Sequence, residues 1–507
     1  IISKNKQICY NWINYKKRNL VTMNYVSTRG QAPAVTSSQA IINGIAPDGG
    51  LYVPERWPKL KLDWKNLSQQ SYQEIATQVF DAFFDDFTVQ EIDHIISKSY
   101  GNQWDAESIV TLHNENKLHY IELFHGPTLA FKDVALQALP HLLTTAAKKQ
   151  SLNDKIVILT ATSGDTGTAA MSGFANVENT EIVVFYPEVG VSDIQRQQMQ
   201  TEEGHNAHVT AITGNFDDAQ KAVKSILSDE KLIQELSEKG MRFSSANSIN
   251  IGRLVPQIVY YIYAYAQLVK NDVVAPGEEI NIDVPTGNFG NVLASYYASQ
   301  LGLPVHQFTV ASDENNVLTD FFNTGIYDRQ RDFKVTNSPA MDILVSSNLE
   351  RLLYFASGRN DEEVRQYMKS LAENGQYTLT DKTRNYLQKF TAKFATQSQV
   401  VDTIKDVFEN SGYLIDPHTA VGRFAYEEET HQTLLAATAS PYKFPQTVLA
   451  ALQEKNEGGV VDLQKLAERT NTVIPAQVAT LFDKTIVHTK IIEPAMIMQS
   501  IKDELSI

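Results

Sequence analysis

Lys132 is the residue around which the chemistry of this chain can be arranged. It sits in the stretch HGPTLAFKD, His125 to Asp133. The residues before it, Leu118–Phe124 (LHYIELF), read as a strand running into a Gly-Pro turn. Those after it, Val134–Leu143, read as a helix with apolar residues at helical spacing. An amine at such a handover, beside Phe131 and a run of small and apolar residues, is partly desolvated. Desolvation lowers its pKa and makes the neutral, nucleophilic form available, which is what a Schiff-base lysine needs. The plain alternative is a solvated lysine at a helix start.

Four further stretches carry candidate groups. Thr160–Gly167 (TATSGDTG) follows the strand-like run KIVILT and opens a helix. Backbone amides and the hydroxyls of Ser163 and Thr166 would converge there on a carboxylate, with the helix N-terminus favouring negative charge; Ser163, Asp165 and Thr166 are equally good helix caps. Pro285–Asn291 (PTGNFGN) is again strand, glycine-rich loop and helix. Gly287 and Gly290 permit backbone curled around an oxyanion, and Asn288 and Asn291 add donors, so a phosphate is the natural ligand; an ordinary tight turn is the competing reading. The loop lacks the Lys-Ser/Thr ending of a P-loop and does not fit G-x-G-x-x-G. Ser244–Arg253 (SSANSINIGR) bunches hydroxyls, amides and one arginine, a set suited to a second phosphate. Ala436–Lys443 (AATASPYK) offers the hydroxyl of Thr438 among small residues. His418, in the turn Asp416–Gly422 (DPHTAVG), reads as a structural hydrogen-bonding group more readily than a catalytic one.

The elements that must position these groups alternate. Lys155–Thr160, Glu181–Tyr186, His208–Ile212, Ile280–Val284 and Val305–Val310 are short β-branched runs, separated by helical stretches such as Asp217–Leu227 and Pro256–Val269. That alternation predicts α/β layers with parallel sheets. Residues Met23 to about His113 read as a smaller α-rich N-terminal domain, with helices over Ser71–Phe84 and Val89–Tyr100. Further helices are predicted over Asp361–Leu371 and Asp381–Phe394, and the tail Thr447–Ile507 reads as helices and a last strand.

Composition narrows the function classes. The 507 residues are 43% hydrophobic and 20% charged, ordinary for a globular protein long enough for two or three domains. No apolar run approaches a membrane span. A net charge of −15 argues against a nucleic-acid or anionic-membrane surface. The single cysteine, Cys9, excludes internal disulfides and multi-cysteine metal sites and fits a reducing cytoplasm; no His-x-x-x-His or acidic-loop metal signature is present, so no metal is expected. Residues 1–22 carry Lys4, Lys6, Lys16, Lys17 and Arg18 and no acidic residue. They read as a basic, disordered extension, with Met23 as the functional start.

Taken in order, YVSTRG at Tyr25, APDGGLYVP at Ala46, FHGPTLAFKD at Phe124, SGDTG at Ser163, NSINIGRLVPQ at Asn247, PTGNFGN at Pro285, DPHTAVG at Asp416 and TASPYKF at Thr438 resemble the threonine synthase family of fold-type-II pyridoxal-phosphate enzymes. The resemblance runs from Met23 to the C-terminus. It implies two α/β layers around pyridoxal 5'-phosphate: a large domain of residues 114–150 and 275–507, a smaller one of 151–274, and the N-terminal domain of 23–113. It implies that Lys132 bears the cofactor, that Gly287, Asn288, Phe289, Gly290 and Asn291 hold its phosphate, that Thr438 faces the pyridine nitrogen, and that Asp165 lies by the ring oxygen where many relatives have Asn. Ser163, Thr166, Asn247, Ser248, Asn250 and Arg253 are then the substrate-binding set. The implied reaction converts O-phospho-L-homoserine and water to L-threonine and phosphate, in a cytoplasmic monomer or homodimer. The rival readings are another fold-type-II lyase, such as a dehydratase, and a non-catalytic metabolite-binding α/β protein.

Overall fold

A computed structural model describes residues 22–428 and 430–507. The expectations for the basic stretch, Cys9 included, concern residues that lie, but for Thr22, outside the described ones.

The N-terminal part opens with an antiparallel ribbon of β1 (Tyr25–Ser27) and β2 (Tyr52–Pro54). The helices Tyr72–Phe83 and Val89–Ser99 follow, each started by a capping box, Ser71 with Glu74 and Thr88 with Glu91. These boxes satisfy the first orphan amides of each helix. The apolar faces of the two helices (Ile75, Val79, Phe80; Ile92, Ile95, Ile96) are buried. They close no core of their own. Tyr72 meets Tyr263 edge to face at 5.4 Å, and one continuous core joins this part to the helix Ile251–Lys270. That helix is buried on nearly every side.

The remaining strands are β3 (Thr111–Glu115), β4 (Leu118–Glu122), β5 (Lys155–Ala161), β6 (Thr180–Pro187), β7 (Ala207–Ile212), β8 (Met241–Ser244), β9 (Ile280–Pro285), β10 (Val305–Ser312), β11 (Ile326–Asp328), β12 (Gln376–Thr378), β13 (Phe390–Phe394), β14 (Thr433–Ala437) and β15 (Ile491–Ile492). Six of them form a sheet in the order β13-β10-β9-β14-β4-β3, parallel except for the β3–β4 hairpin. A second, wholly parallel sheet runs β15-β7-β6-β5-β8. Strands β9 and β14 are buried along their whole length, as expected where helices cover both faces. The loops that leave the C-terminal ends of β4, β5, β8, β9 and β14 carry every candidate stretch but Asp416–Gly422, which opens the helix Pro417–Ala425; such loops are the usual place for a ligand in parallel sheets.

Three sequence readings need correction. Asp381–Phe394 is not one helix: a helix ends at Tyr386, and Phe390–Phe394 is the edge strand β13, with Phe390 stacked on Phe308 at 4.7 Å. Neighbouring strand β10 supplies ladder bonds that local propensity could not reveal. Val134–Leu143 lies in two helices, Lys132–Leu136 and Leu139–Lys149. The tail does not end in a strand. Strand β15 pairs with β7, and the final helix Ile497–Leu505 packs its Ile497, Ile501 and Leu505 on the five-stranded sheet. The last residues therefore join the smaller sheet, not the large domain with which 275–507 were grouped.

Candidate active site

The loop after β4 delivers Lys132 to the start of the helix Lys132–Leu136. It is anchored where the Phe131 N–H donates to the Thr438 carbonyl at 2.8 Å, tying it to the end of β14. Lys132 Nζ donates to Asp165 Oδ2 at 3.0 Å and lies 4.8 Å from the centre of the Phe131 ring. Burial lowers the pKa of this amine; Asp165 pulls it back up, and Arg253 and Lys443 push it down again. Burial alone would raise the Asp165 carboxyl, but Lys132, Lys443 and His418, with a hydrogen bond from Gln195, hold it well below the usual carboxylate range. Asp165 is therefore ionised and accepts hydrogen bonds without donating them.

The SGDTG loop is organised by Thr162, whose Oγ1 accepts from the N–H groups of Gly164 and Gly167, each at 2.9 Å. No side chain caps the helix Asp165–Phe174; its first residue follows Gly164 at φ 130°. A Cβ there would lie 2.3 Å from the Gln195 side chain, so glycine is required on both counts. The capping reading of Ser163, Asp165 and Thr166 is thus replaced by a loop that turns Asp165 and Thr166 into a cleft.

That cleft has about 720 Å³ of empty space, open solvent at its mouth included, and its lining contains Lys132, Asp165, Thr166, Asn247, Ser248, Arg253, Gly287, Asn288, Phe289, Gly290, Asn291 and Thr438. Phe289 adopts φ 64° ahead of the helix Gly290–Leu301, so the loop curls at that helix's N-terminus. A Cβ at Gly287 would stand 2.9 Å from the Ala340 carbonyl. The Asn291 side chain is fixed by Tyr260 and Tyr261, whose hydroxyls donate to its Oδ1, and its Nδ2 is buried without a partner among the described residues. Arg253 is buried; its Nη1 donates to the Ala246 carbonyl at 2.8 Å, and its Nε has no partner among the described residues. No carboxylate pairs with it among the described residues, and burial lowers its pKa to about 10.

Two of the expected residues do not line the cleft. Asn250 turns inward: Nδ2 donates to the Ile41 and Ser245 carbonyls at 2.9 and 3.0 Å, and Oδ1 accepts from the Gly252 N–H. It caps the helix Ile251–Lys270 and fastens it to the N-terminal part. Ser163 is half-buried outside the lining.

Other residues complete the site without an evident signal in sequence. Ala340 and Met341 wall the cleft opposite Gly287. Asn348 donates to the Asn288 carbonyl at 3.1 Å and the Ser248 carbonyl at 3.2 Å, bridging the two loops. Gln195 donates to Asp165 Oδ1 at 2.8 Å. The Thr28 hydroxyl and Arg29 guanidinium of YVSTRG both bind Glu350, in the helix that follows Asn348. His418 lines the cleft but is committed to structure: Nδ1 lies 2.6 Å from Asp416 Oδ2, and Nε2 accepts from the Ala340 N–H at 3.2 Å.

Residues 24–100 match the family described as threonine synthase N terminus, and residues 109–439 match the pyridoxal-phosphate dependent enzymes. The chain is 38% identical to a threonine synthase of Pseudomonas aeruginosa over 470 residues, 90% of this chain and 97% of that one. It is 36% identical to human threonine synthase-like 1 over 82% of this chain and 58% of that protein. It superposes on a pyridoxal-phosphate-bound threonine synthase of Brucella melitensis with a TM-score of 0.85, at 34% identity, covering 95% of this chain and 99% of that one. The cleft fits pyridoxal phosphate: it offers a desolvated amine, the N-terminus of a twelve-residue helix, and two buried nitrogens, Asn291 Nδ2 and Arg253 Nε, that lack partners among the described residues. The chain belongs to the threonine synthase family of pyridoxal-phosphate-dependent enzymes, and pyridoxal 5'-phosphate is its cofactor.

Proposed function

We propose that the chain converts O-phospho-L-homoserine and water to L-threonine and inorganic phosphate, as a cytoplasmic monomer or homodimer, and that its cleft holds two phosphates at once. The observation that carries this reading is Arg253. A buried guanidinium with no carboxylate partner is costly unless an anion arrives to meet it, and it lines the same cleft as Lys132. The loop Gly287–Asn291, at a helix N-terminus, is a second and separate anion site.

In this reading Lys132 bears the cofactor, Gly287, Asn288, Phe289, Gly290 and Asn291 hold its phosphate, and Thr438 faces its ring nitrogen. When bound, pyridoxal phosphate supplies an electron sink conjugated to the substrate's amino nitrogen. Arg253, Asn247 and Ser248 receive the substrate phosphate, and Thr166 with the loop amides receives the carboxylate. Lys132 Nζ, once free, takes protons from Cα and Cβ of the substrate and returns them at Cγ, which becomes the methyl group, and at Cα. Asp165 keeps that amine in place as its hydrogen-bond acceptor. The C–O bond at Cγ breaks, phosphate leaves toward Arg253, and water adds its oxygen to Cβ.

A second reading, a lyase of the same fold that eliminates without making threonine, has its support in the similarity to a protein named only threonine synthase-like. Product analysis separates the two. Incubation with O-phospho-L-homoserine yields threonine and phosphate in equal amounts, and serine or threonine gives little 2-oxo acid. Formation of 2-oxobutanoate in place of threonine favours the second reading.

A further inference from the structure

Lys443 is a second cation in the walls of this site, and the mechanism above leaves it unused. Its side chain has no exposed surface. Nζ donates to the Thr128 carbonyl at 2.6 Å, the Thr168 hydroxyl at 3.3 Å and Gln198 Oε1 at 3.4 Å, and lies 3.4 Å from Asp165 Oδ1. Its backbone is fixed as well, since the Ser192 hydroxyl donates to the Lys443 carbonyl at 3.1 Å. A buried ammonium held by three oxygens beside a carboxylate is a fixed charge.

The two oxygens of Asp165 are thereby divided. Oδ1 accepts from Gln195 Nε2 at 2.8 Å and faces Lys443; Oδ2 accepts from Lys132 Nζ at 3.0 Å. A carboxylate anchored on one side presents the other in one orientation, and a second cation beside it repels a proton on Lys132 that the carboxylate would otherwise hold. We propose that Lys443 is a positioning residue for Lys132: it fixes the Asp165 carboxylate and sets its own positive charge against that of the amine, so that Oδ2 holds the Lys132 amine in place without locking it as an ammonium. The other charged or titratable groups facing this trio are Arg253, His418 and the buried Asp133, whose carboxylate is anchored by the Thr128 N–H and hydroxyl. None of these bridges Asp165 in the way Lys443 does.

The inference rests on Lys132 being the reactive amine, a reading that borohydride trapping tests by itself. The test here reads the proton on Lys132 directly. The full chain, freed of cofactor, is acylated with trace acetic anhydride across a range of pH, and modification of the Lys132 peptide is followed by mass spectrometry. Lys443→Met is expected to move the midpoint for Lys132 upward by on the order of one pH unit, because the opposing positive charge is then gone while Asp165 remains. Asp165→Asn is expected to move it downward, and Lys443→Arg to leave it near the wild-type value. Capture of pyridoxal phosphate at neutral pH slows about tenfold in Lys443→Met, in step with the smaller neutral fraction. Should Lys443→Met not fold, Lys443→Gln is read in the same way. An unchanged Lys132 midpoint in a folded, charge-neutral variant, or a shift equal in Lys443→Arg and Lys443→Met, overturns the proposal and leaves Lys443 a packing residue.

Discussion

Arg351, wholly buried, donates through Nη1 to Asn348 Oδ1, while Asn348 Nδ2 donates to the Asn288 carbonyl at 3.1 Å. The guanidinium also binds the Tyr52 carbonyl at 2.9 Å and the Ile249 carbonyl. One side chain therefore ties β2, the loop before Arg253 and the loop after β9 into a single unit. The N-terminal part is in this way tied to the loops of the cleft, although none of its described residues lines it.

Arg351→Leu leaves several buried acceptors unpaired, at a cost of about 3–5 kcal/mol. Its melting temperature is expected to fall, and its dissociation constant for pyridoxal phosphate to rise, although no atom of Arg351 lines the cleft. A variant that melts lower with unchanged cofactor affinity contradicts the coupling between Arg351 and the Asn288 loop.

Arg253→Ala and Asn288→Ala separate the two anion sites. Losing a charge-assisted pair of hydrogen bonds costs about 2–4 kcal/mol, so kcat/KM for phosphohomoserine in Arg253→Ala is expected to drop roughly 30- to 1000-fold with cofactor content nearly intact. Asn288→Ala instead lowers cofactor occupancy, and excess pyridoxal phosphate partly restores activity. Spectral titration of both variants with cofactor checks the assignment; the reverse pattern shows that the two phosphates have been exchanged.

Asn250→Ala loses a helix cap and two buried amide bonds, which costs about 1–2 kcal/mol of stability. Because Asn250 faces away from the cleft, KM for the substrate is expected to hold once stability is restored by lower temperature. A KM raised tenfold at constant melting temperature returns Asn250 to the substrate site.

His125 lies between Asp105 Oδ1, at 2.6 Å, and Glu122 Oε2, at 3.5 Å. Burial opposes its charge, but the two carboxylates outweigh that and raise its pKa from 6.5 to about 9. A folded-state pKa above the unfolded one stabilises the fold fully below 6.5 and loses that contribution as pH rises through about 9. Melting temperature is expected to decline between these limits, and His125→Asn to flatten the decline. A parallel decline in the variant assigns the pH dependence to other groups.

The legible parts of this chain were those governed by local pattern. Strands β5, β6, β7, β9 and β10 follow β-branched runs, and apolar spacing places the helices Tyr72–Phe83 and Val89–Ser99 to within a residue at each end. Lys132 and the Gly287–Asn291 loop could be read because a strand, a glycine-rich turn and a helix follow one another without interruption. What could not be read depends on contacts distant in sequence. β13 is a strand because β10 lies beside it. Asn250 and Arg253 share a motif, yet only the fold of the helix they start decides that one faces Ile41 and the other the cleft. Lys443 carries no local mark of its contact with Asp165, 278 positions earlier.

The fate of water's oxygen tests the central claim most directly. Phosphohomoserine is turned over in water enriched in heavy oxygen, and both products are weighed by mass spectrometry. Cleavage of the bond at Cγ followed by addition at Cβ puts one heavy oxygen into threonine and none into phosphate. Heavy oxygen in phosphate, with homoserine as the other product, would mean attack at phosphorus and would contradict the account.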